Sequence, residues 1–265
     1  MHVESLFVHP VKACRAVPVQ SAELLWTGLQ HDREFLIVDE HCSFITQRER
    51  PALARLAATI HDGALSLCGD DGRVVLVPLD VTGIDLEVEI WGDKVAATDC
   101  GAAAAGLLTN FTGGTARLVR MRDGFQRQVD PDFGERGDTV GFADGFPLLV
   151  TTAAAIAAVR DAIGPQVDAR RFRPNIVVAS AEAFAEDDWQ SLEIGETAID
   201  LVKPCARCRV LDVDPDTGQG GGSVLKGLAA LRTRDHKVLF GQNAIPRKLG
   251  TISVGDPVRV VKTCR

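Results

Sequence analysis

Two thiols and two guanidinium groups are packed into the run Lys203-Pro204-Cys205-Ala206-Arg207-Cys208-Arg209. A positive neighbour favours the thiolate, which is the form that attacks as a nucleophile or binds a soft metal. The turn-like Asp214-Pro215-Asp216-Thr217-Gly218 follows, with Asp212 just ahead of it, so the segment pairs candidate thiolates with several carboxylates and nothing chooses among the latter as acid or base.

The spacing C-x-x-C fits several chemistries. Structural zinc needs four N or S ligands, usually as two short-spaced pairs. Here Cys14, Cys42, Cys68, Cys100 and Cys264 stand singly, as do the histidines, so a zinc site would need distant ligands to converge. A thioredoxin-like pair should open a helix within a βαβ unit. Arg209-Val210-Leu211-Asp212-Val213 reads instead as a strand, against that placement.

Composition sets the frame. A chain of 265 residues, 25% charged and 46% hydrophobic, can bury a substantial core as one large or two small domains. The net charge of -7 argues against general nucleic-acid binding, which requires a basic face. No apolar run approaches the roughly 20 residues of a membrane span, and Met1-His2-Val3-Glu4-Ser5 lacks a signal peptide's basic and apolar regions. Seven cysteines without compact spacing suit a reducing compartment, and the expected location is cytoplasmic.

Short strands and turns must position this chemistry. Leu86, Val88 and Ile90 alternate with acidic residues before Gly92-Asp93, predicting a hairpin with Lys94-Val95-Ala96. Further strands are expected over 35–38, 73–77, 176–178 and 258–261. Asp99 can cap a helix from Cys100 to Phe111 that Gly113-Gly114 stops; a second runs from about Thr152 to Ile163. Arg120 to Thr139 reads as a long loop or linker, placing a boundary near residue 120. The glycine-rich stretch 218–223 lacks the Lys-Ser/Thr of a phosphate-binding P-loop. The fold class is therefore a β-rich α+β protein.

The chain resembles MOSC-domain proteins that carry a MOSC N-terminal β-barrel domain, the architecture of the mitochondrial amidoxime-reducing component and its bacterial relatives. The resemblance rests on His9 to Arg15, Gly28 to Phe35, Thr46-Gln47-Arg48, Phe172 to Ile176, Ala185 to Trp189, Cys205 to Gly218, Phe240 to Asn243 and Val254 to Val258, in that order. It implies an N-terminal MOSC-type β-barrel domain over 1–120, followed by a MOSC β-barrel domain with flanking helices over 121–265.

It also implies a molybdenum cofactor of the Mo-molybdopterin type between the two domains, with Cys208 as the thiolate on the metal and Cys205 as a structural or supporting thiol. A soft thiolate suits a metal already bound by sulfur. Motif match assigns Lys12, Arg33 and Arg173 to the cofactor's phosphate, with Thr151 and Thr152 at the start of the second helix, where free N–H groups also favour an anion. Ala206, Arg207 and Asn243 complete the implied contacts. Many relatives have serine where this chain has Ala13, which loses a hydroxyl but keeps a backbone N–H; at Asn243 some carry an aromatic residue.

The implied activity is reduction of N-oxygenated compounds such as hydroxylamines, amidoximes or N-hydroxylated bases, with two electrons and two protons releasing oxygen as water. The chain ends at Arg265 with no C-x₄-C-x₂-C run, so the electrons are expected from a separate flavoprotein or iron-sulfur partner. The rival expectations are a cofactor or persulfide carrier using Cys208, and a binding module with ordinary thiols.

Overall fold

A computed structural model describes residues 1–263; Cys264 and the terminal Arg265 lie outside the described residues. Among the described residues the strands form four sheets, the largest of nine strands. Across it run Val258–Thr263, Trp189–Ile194, Thr197–Ala206, Lys237–Lys248, Leu148–Thr152, Ile176–Ala179, His2–Val8 and Val17–Val19, with Thr233–Arg234 attached to Lys237–Lys248. Neighbours are antiparallel apart from Leu148–Thr152 and Ile176–Ala179, which run parallel. A parallel pair needs a crossover, and helices lie between these strands in the chain.

The β-branched run Ile176-Val177-Val178 explains its central place. Ile176 and Val178 pack into one core with Val3, Leu6, Val150 and Leu192. Val177 points the other way, onto Phe172, Phe240, Val159 and Leu228. A strand covered on both faces reads as continuous rather than alternating apolar residues.

Four α-helices punctuate the described strands: α1 (Ala102–Thr112), α2 (Ala153–Ile163), α3 (Ala169–Phe172) and α4 (Val224–Arg232). Helix α1 starts two residues later than Cys100, because Asp99 Oδ1 accepts from the N–H of Gly101 in the turn before it and caps no helical residue. It ends at Gly113, whose left-handed φ of 71° suits a residue without a Cβ. Helix α2 is capped by Thr152, whose side chain accepts from the Ala155 N–H.

Phe35–Val38, Arg117–Met121, Asp93–Asp99 and Asp85–Ile90 form a second sheet, and its hairpin pairs Ile90 with Asp93 around Trp91-Gly92 as the alternation predicts. A meander of Ala57–His61, Ala64–Cys68 and Val74–Pro78 packs with α1 over a core of Phe35, Leu53, Leu65 and Leu108. The small remaining sheet joins Gly250–Ser253 to Ser21–Leu25 and Gly28–Leu29. The β-rich α+β class therefore holds.

Both ends of the sequence cross over. His2–Val8 pairs with Ile176–Ala179, opposing Leu6 to Ile176, and Gly250–Ser253 opposes Ile252 to Ala22. At Gly28 a Cβ would lie 2.5 Å from the carbonyl oxygen of Pro147, so glycine lets this hairpin approach the loop before Leu148. Among the described residues no helix is long and apolar enough to cross a membrane.

The predicted strand at Arg209 to Val213 is corrected: Arg209–Asp212 is a 3₁₀ turn, with Leu211 N–H donating to Cys208 and Val213 N–H to Val210. Leu211 and Val213 are buried while Arg209 is exposed, and burying Leu211 against the α4 core favours a tight turn over an extended run.

Candidate functional site

A cavity of about 150 Å³ is lined from both halves of the sequence. Lys12, Ala13, Arg33, Thr46, Gln47, Arg48 and Trp91 line it from the first half of the sequence; Ala143 to Phe146, Arg173, Asn175, Cys205 to Cys208 and Asn243 line it from the second. Of the residues expected at the site, Lys12, Ala13, Arg33, Arg173, Ala206, Arg207, Cys208 and Asn243 all reach this lining.

Backbone shape puts them there. Ala13, Arg33 and Arg173 have left-handed φ values of 68°, 52° and 55°, so each marks a sharp change of direction at a strand or helix end. Arg173 terminates α3 in this conformation, and its N–H donates to the Arg170 carbonyl. Asn243 lies on Lys237–Lys248, opposite Leu149 and Lys203, beside the strand that delivers Cys205.

The two arginines lead different lives. The Arg33 guanidinium is satisfied: it pairs with buried Asp32 and donates to Asn175 Oδ1 at 3.1 Å and to the Arg173 carbonyl at 3.2 Å. Arg173 donates from Nη1 to the Cys14 carbonyl at 2.8 Å, but its Nη2 is buried with no hydrogen-bond partner among the described residues. Burial, then the charge of Arg33, pushes Arg173 down to about 10. Arg207 donates to Cys205 Sγ at 3.0 Å and to the Phe172 carbonyl at 2.7 Å, while its Nε is buried and has no partner among the described residues. Buried guanidinium nitrogens without acceptors fit an anion, since unmatched buried donors are costly.

Beneath Arg33 lies His9, fully buried. Asp32 Oδ1 accepts from the His9 N–H at 2.8 Å and lies 3.3 Å from Nδ1. Burial, then the charges of Arg33 and Arg173, hold His9 well below the usual histidine range, against the pull of Asp32. Burial pushes the Asp32 carboxyl up, but the Arg33 charge and the His9 contact more than reverse this and hold it low.

Lys12 is a buried cation on this lining, and it pairs with Asp144. Burial lowers its pKa, while Asp144 opposes the shift. Asp144 lines the cavity, with its side chain 72% exposed. The walls raise the carboxyl's pKa; the charge of Lys12, its hydrogen bond and that of Trp91 Nε1 at 3.0 Å overcome this and keep it an anion.

Some expected residues lie elsewhere. Thr151 and Thr152 do not join the lining: Thr151 Oγ1 donates to Glu186 Oε1 at 3.0 Å, Thr152 Oγ1 to Oε2 at 2.8 Å and the Thr152 N–H to Oε1 at 3.2 Å. A buried carboxylate thus occupies the N-terminus of α2, where an anion was expected. Asp212 accepts from the Leu225 N–H, Asp214 from Arg171 and Asp216 from Arg170, so these carboxylates hold the chain rather than line the cavity.

Arg48, Trp91, Asp144 and Asn175 line the cavity in addition to the residues expected there. Thr46-Gln47-Arg48 and Phe172 to Ile176 already marked two of them as motif positions, and Trp91 sits in the predicted hairpin turn. Asp144 gave no signal, being one aspartate in an acid-rich stretch.

The MOSC N-terminal β-barrel domain model matches residues 1–115 and the MOSC domain model residues 137–259. The human mitochondrial amidoxime-reducing component 1 is 32% identical over 276 residues, covering 97% of this chain and 82% of that protein. The zebrafish (Danio rerio) molybdenum cofactor sulfurase is 30% identical over 89% of this chain, which spans 31% of that protein. Among solved structures, the YUAD protein of Bacillus subtilis aligns over 97% of this chain and 92% of its own, with 8% identity and a TM-score of 0.44.

Proposed function

The chain belongs to the MOSC family, in the two-part arrangement of the mitochondrial amidoxime-reducing components, and from that membership we propose that it is a molybdenum-cofactor-dependent reductase of N-oxygenated compounds. The observation that carries the reading is the pair of buried, unpartnered nitrogens, Arg173 Nη2 and Arg207 Nε, on the same cavity as Cys208. They fit a phosphate-bearing cofactor whose metal takes a thiolate.

In this reading residues 1–120 and 121–265 act as two domains that share the site. Cys208 is the metal ligand. Lys12, the Ala13 backbone, Arg33, Arg173, Ala206, Arg207 and Asn243 hold the cofactor, with the Ala143 to Phe146 loop and Asn175 taking the place expected of Thr151 and Thr152. The bound cofactor supplies the two-electron couple that N–O cleavage requires.

The remaining work falls to the chain's own groups. Cleaving an N-hydroxyl to an amine and water consumes two electrons and two protons. Lys12, whose pKa burial lowers against the opposing charge of Asp144, gives up a proton from Nζ more readily than a solvated lysine. Asp144 accepts that contact and presents its carboxylate to the cavity, where an amidine or amine N–H of the substrate would be oriented. Phe146, Leu148 and Leu149 supply apolar wall that limits water. Electrons come from a separate flavoprotein or iron-sulfur protein.

The test is molybdenum and pterin content in protein made by a cofactor-synthesising host, beside reduction of benzamidoxime and an N-hydroxylated purine with a chemical electron donor. Near-equimolar metal and pterin with turnover, and loss of metal and turnover in Cys208→Ser, is the expected result. Labile sulfane sulfur on Cys208 in place of molybdenum would replace this reading with a carrier.

A further inference from the structure

The sulfur of Cys208 has a cationic neighbour that does not come from its own motif. Arg48 Nη2 lies 3.7 Å from Cys208 Sγ, although the residues are 160 positions apart. The flanking Arg209 turns away and donates to the Arg48 carbonyl at 3.1 Å. Each segment thus grips the other, side chain to sulfur in one direction and side chain to backbone in the other.

Arg48 is itself held in place. Its guanidinium carbon lies 4.6 Å from the centroid of the Trp91 ring, within cation–π range. Trp91 sits in the hairpin turn with a left-handed φ of 54°, meets Phe44 edge-on at 4.9 Å and donates from Nε1 to Asp144 at 3.0 Å. The Arg48 N–H donates to Thr46 Oγ1 at 3.0 Å, and Gln47 Nε2 reaches the Ala13 carbonyl at 2.5 Å. A long, flexible side chain is thereby fixed at one end by its backbone and at its guanidinium by an indole.

We propose that Arg48 is a positioning residue for the Cys208 sulfur, contributed by the N-terminal half, and that Trp91 locks it there while tying it to Asp144. A guanidinium at this distance from a sulfur acts as an N–H donor and as a fixed positive charge. Donors to a ligating sulfur orient it and tune the metal it holds. In the proposed reductase, on which this assignment partly rests, Arg48 would aim the thiolate into the cavity from the opposite half of the molecule. The chain Cys208, Arg48, Trp91, Asp144, Lys12 then spans the cavity as one contiguous set of contacts.

Charge-selective alkylation of the full-length, cofactor-free chain tests this without turnover. Cys208 is alkylated with iodoacetate, an anion, and with iodoacetamide, a neutral reagent, at one pH, and the modified peptide is quantified by mass spectrometry. The ratio of the two rates cancels the thiolate fraction and reports local positive charge. In Arg48→Gln the ratio at Cys208 is expected to fall about three- to tenfold, as for removal of one unit charge near the sulfur in a partly solvated site. Arg48→Lys should restore most of it, and Cys205, beside Arg207, should keep its ratio in both variants. An unchanged ratio at Cys208, or an equal fall at both cysteines, would overturn the proposal. A chain without molybdenum would still give the expected ratio, so the failure of the reductase reading and of this assignment are told apart.

Discussion

Arg33 donates to the backbone carbonyl of Arg173 at 3.2 Å, so a cation from the first half of the chain rests on the residue that places the second cation. Both guanidinium groups face the same cavity, and they differ in one respect: Arg33 has a carboxylate partner in Asp32, whereas Arg173 retains an unmatched nitrogen.

Opposite outcomes are expected from removing the two charges. Arg33→Gln leaves the Asp32 carboxylate, 2% exposed, without its guanidinium and should destabilise the cofactor-free protein by about 3–5 kcal/mol. Arg173→Gln removes a buried cation paired only with carbonyl oxygen and should change stability by less than about 1 kcal/mol, while retained pterin falls at least about tenfold. Denaturant unfolding and pterin fluorescence on both variants distinguish these effects; equal destabilisation would refute the contrast.

Among the carboxylates near the thiols, only Asp144 should affect turnover. Asp144→Asn is expected to lower kcat by about a hundredfold with molybdenum content unchanged, the scale of a lost proton-handling or orienting group. Asp216→Asn, which loses an exposed pair with Arg170, should leave kcat unaltered and cost no more than about 1 kcal/mol. Steady-state kinetics with metal content measured on the same samples decides it.

Thr152→Ala should weaken the fold and spare the cofactor. It deletes the cap of α2 and one hydrogen bond to buried Glu186, for a loss of about 1–2 kcal/mol. Pterin and molybdenum content are expected to match wild type. A selective loss of pterin without a lower melting temperature would return Thr152 to the binding set.

Stability should fall as the pH drops from 7 towards 5. His9 is held below the usual histidine range, so between its folded value and about 6.5 the unfolded chain binds more protons than the native one. Its contribution is complete above about 6.5 and is lost on acidification, at up to about 1.4 kcal/mol per pH unit. Asp32, also depressed, adds the same sign only below about 3.9. Glu186 is raised by burial, so where it titrates it acts in the opposite sense. His9→Gln should flatten the slope between pH 7 and 5 in urea titrations; an unchanged slope would remove His9 as the cause.

Local pattern and motif carried much of this protein. Alternation in Leu86, Val88 and Ile90 set the hairpin, Thr152 and Gly113 marked a helix start and a helix end, and the spaced motifs pointed to the family and to most of the cavity lining, Cys208 included. These signals are short-range: a period of two, a cap, a left-handed stop or a thiol spacing is written within a few residues. What the tertiary structure decided was partnership. Arg48 rather than Arg209 stands at Cys208, because the 3₁₀ turn at Arg209–Asp212 redirects the motif's own arginine. Asp144 rather than Asp212, Asp214 or Asp216 meets the cavity, because the latter three are engaged by Leu225, Arg171 and Arg170. Glu186, more than 30 residues along the chain, already fills the helix N-terminus that a phosphate could have used. Which donor meets which acceptor depends on strands crossing between the two halves, and no spacing along the chain encodes that.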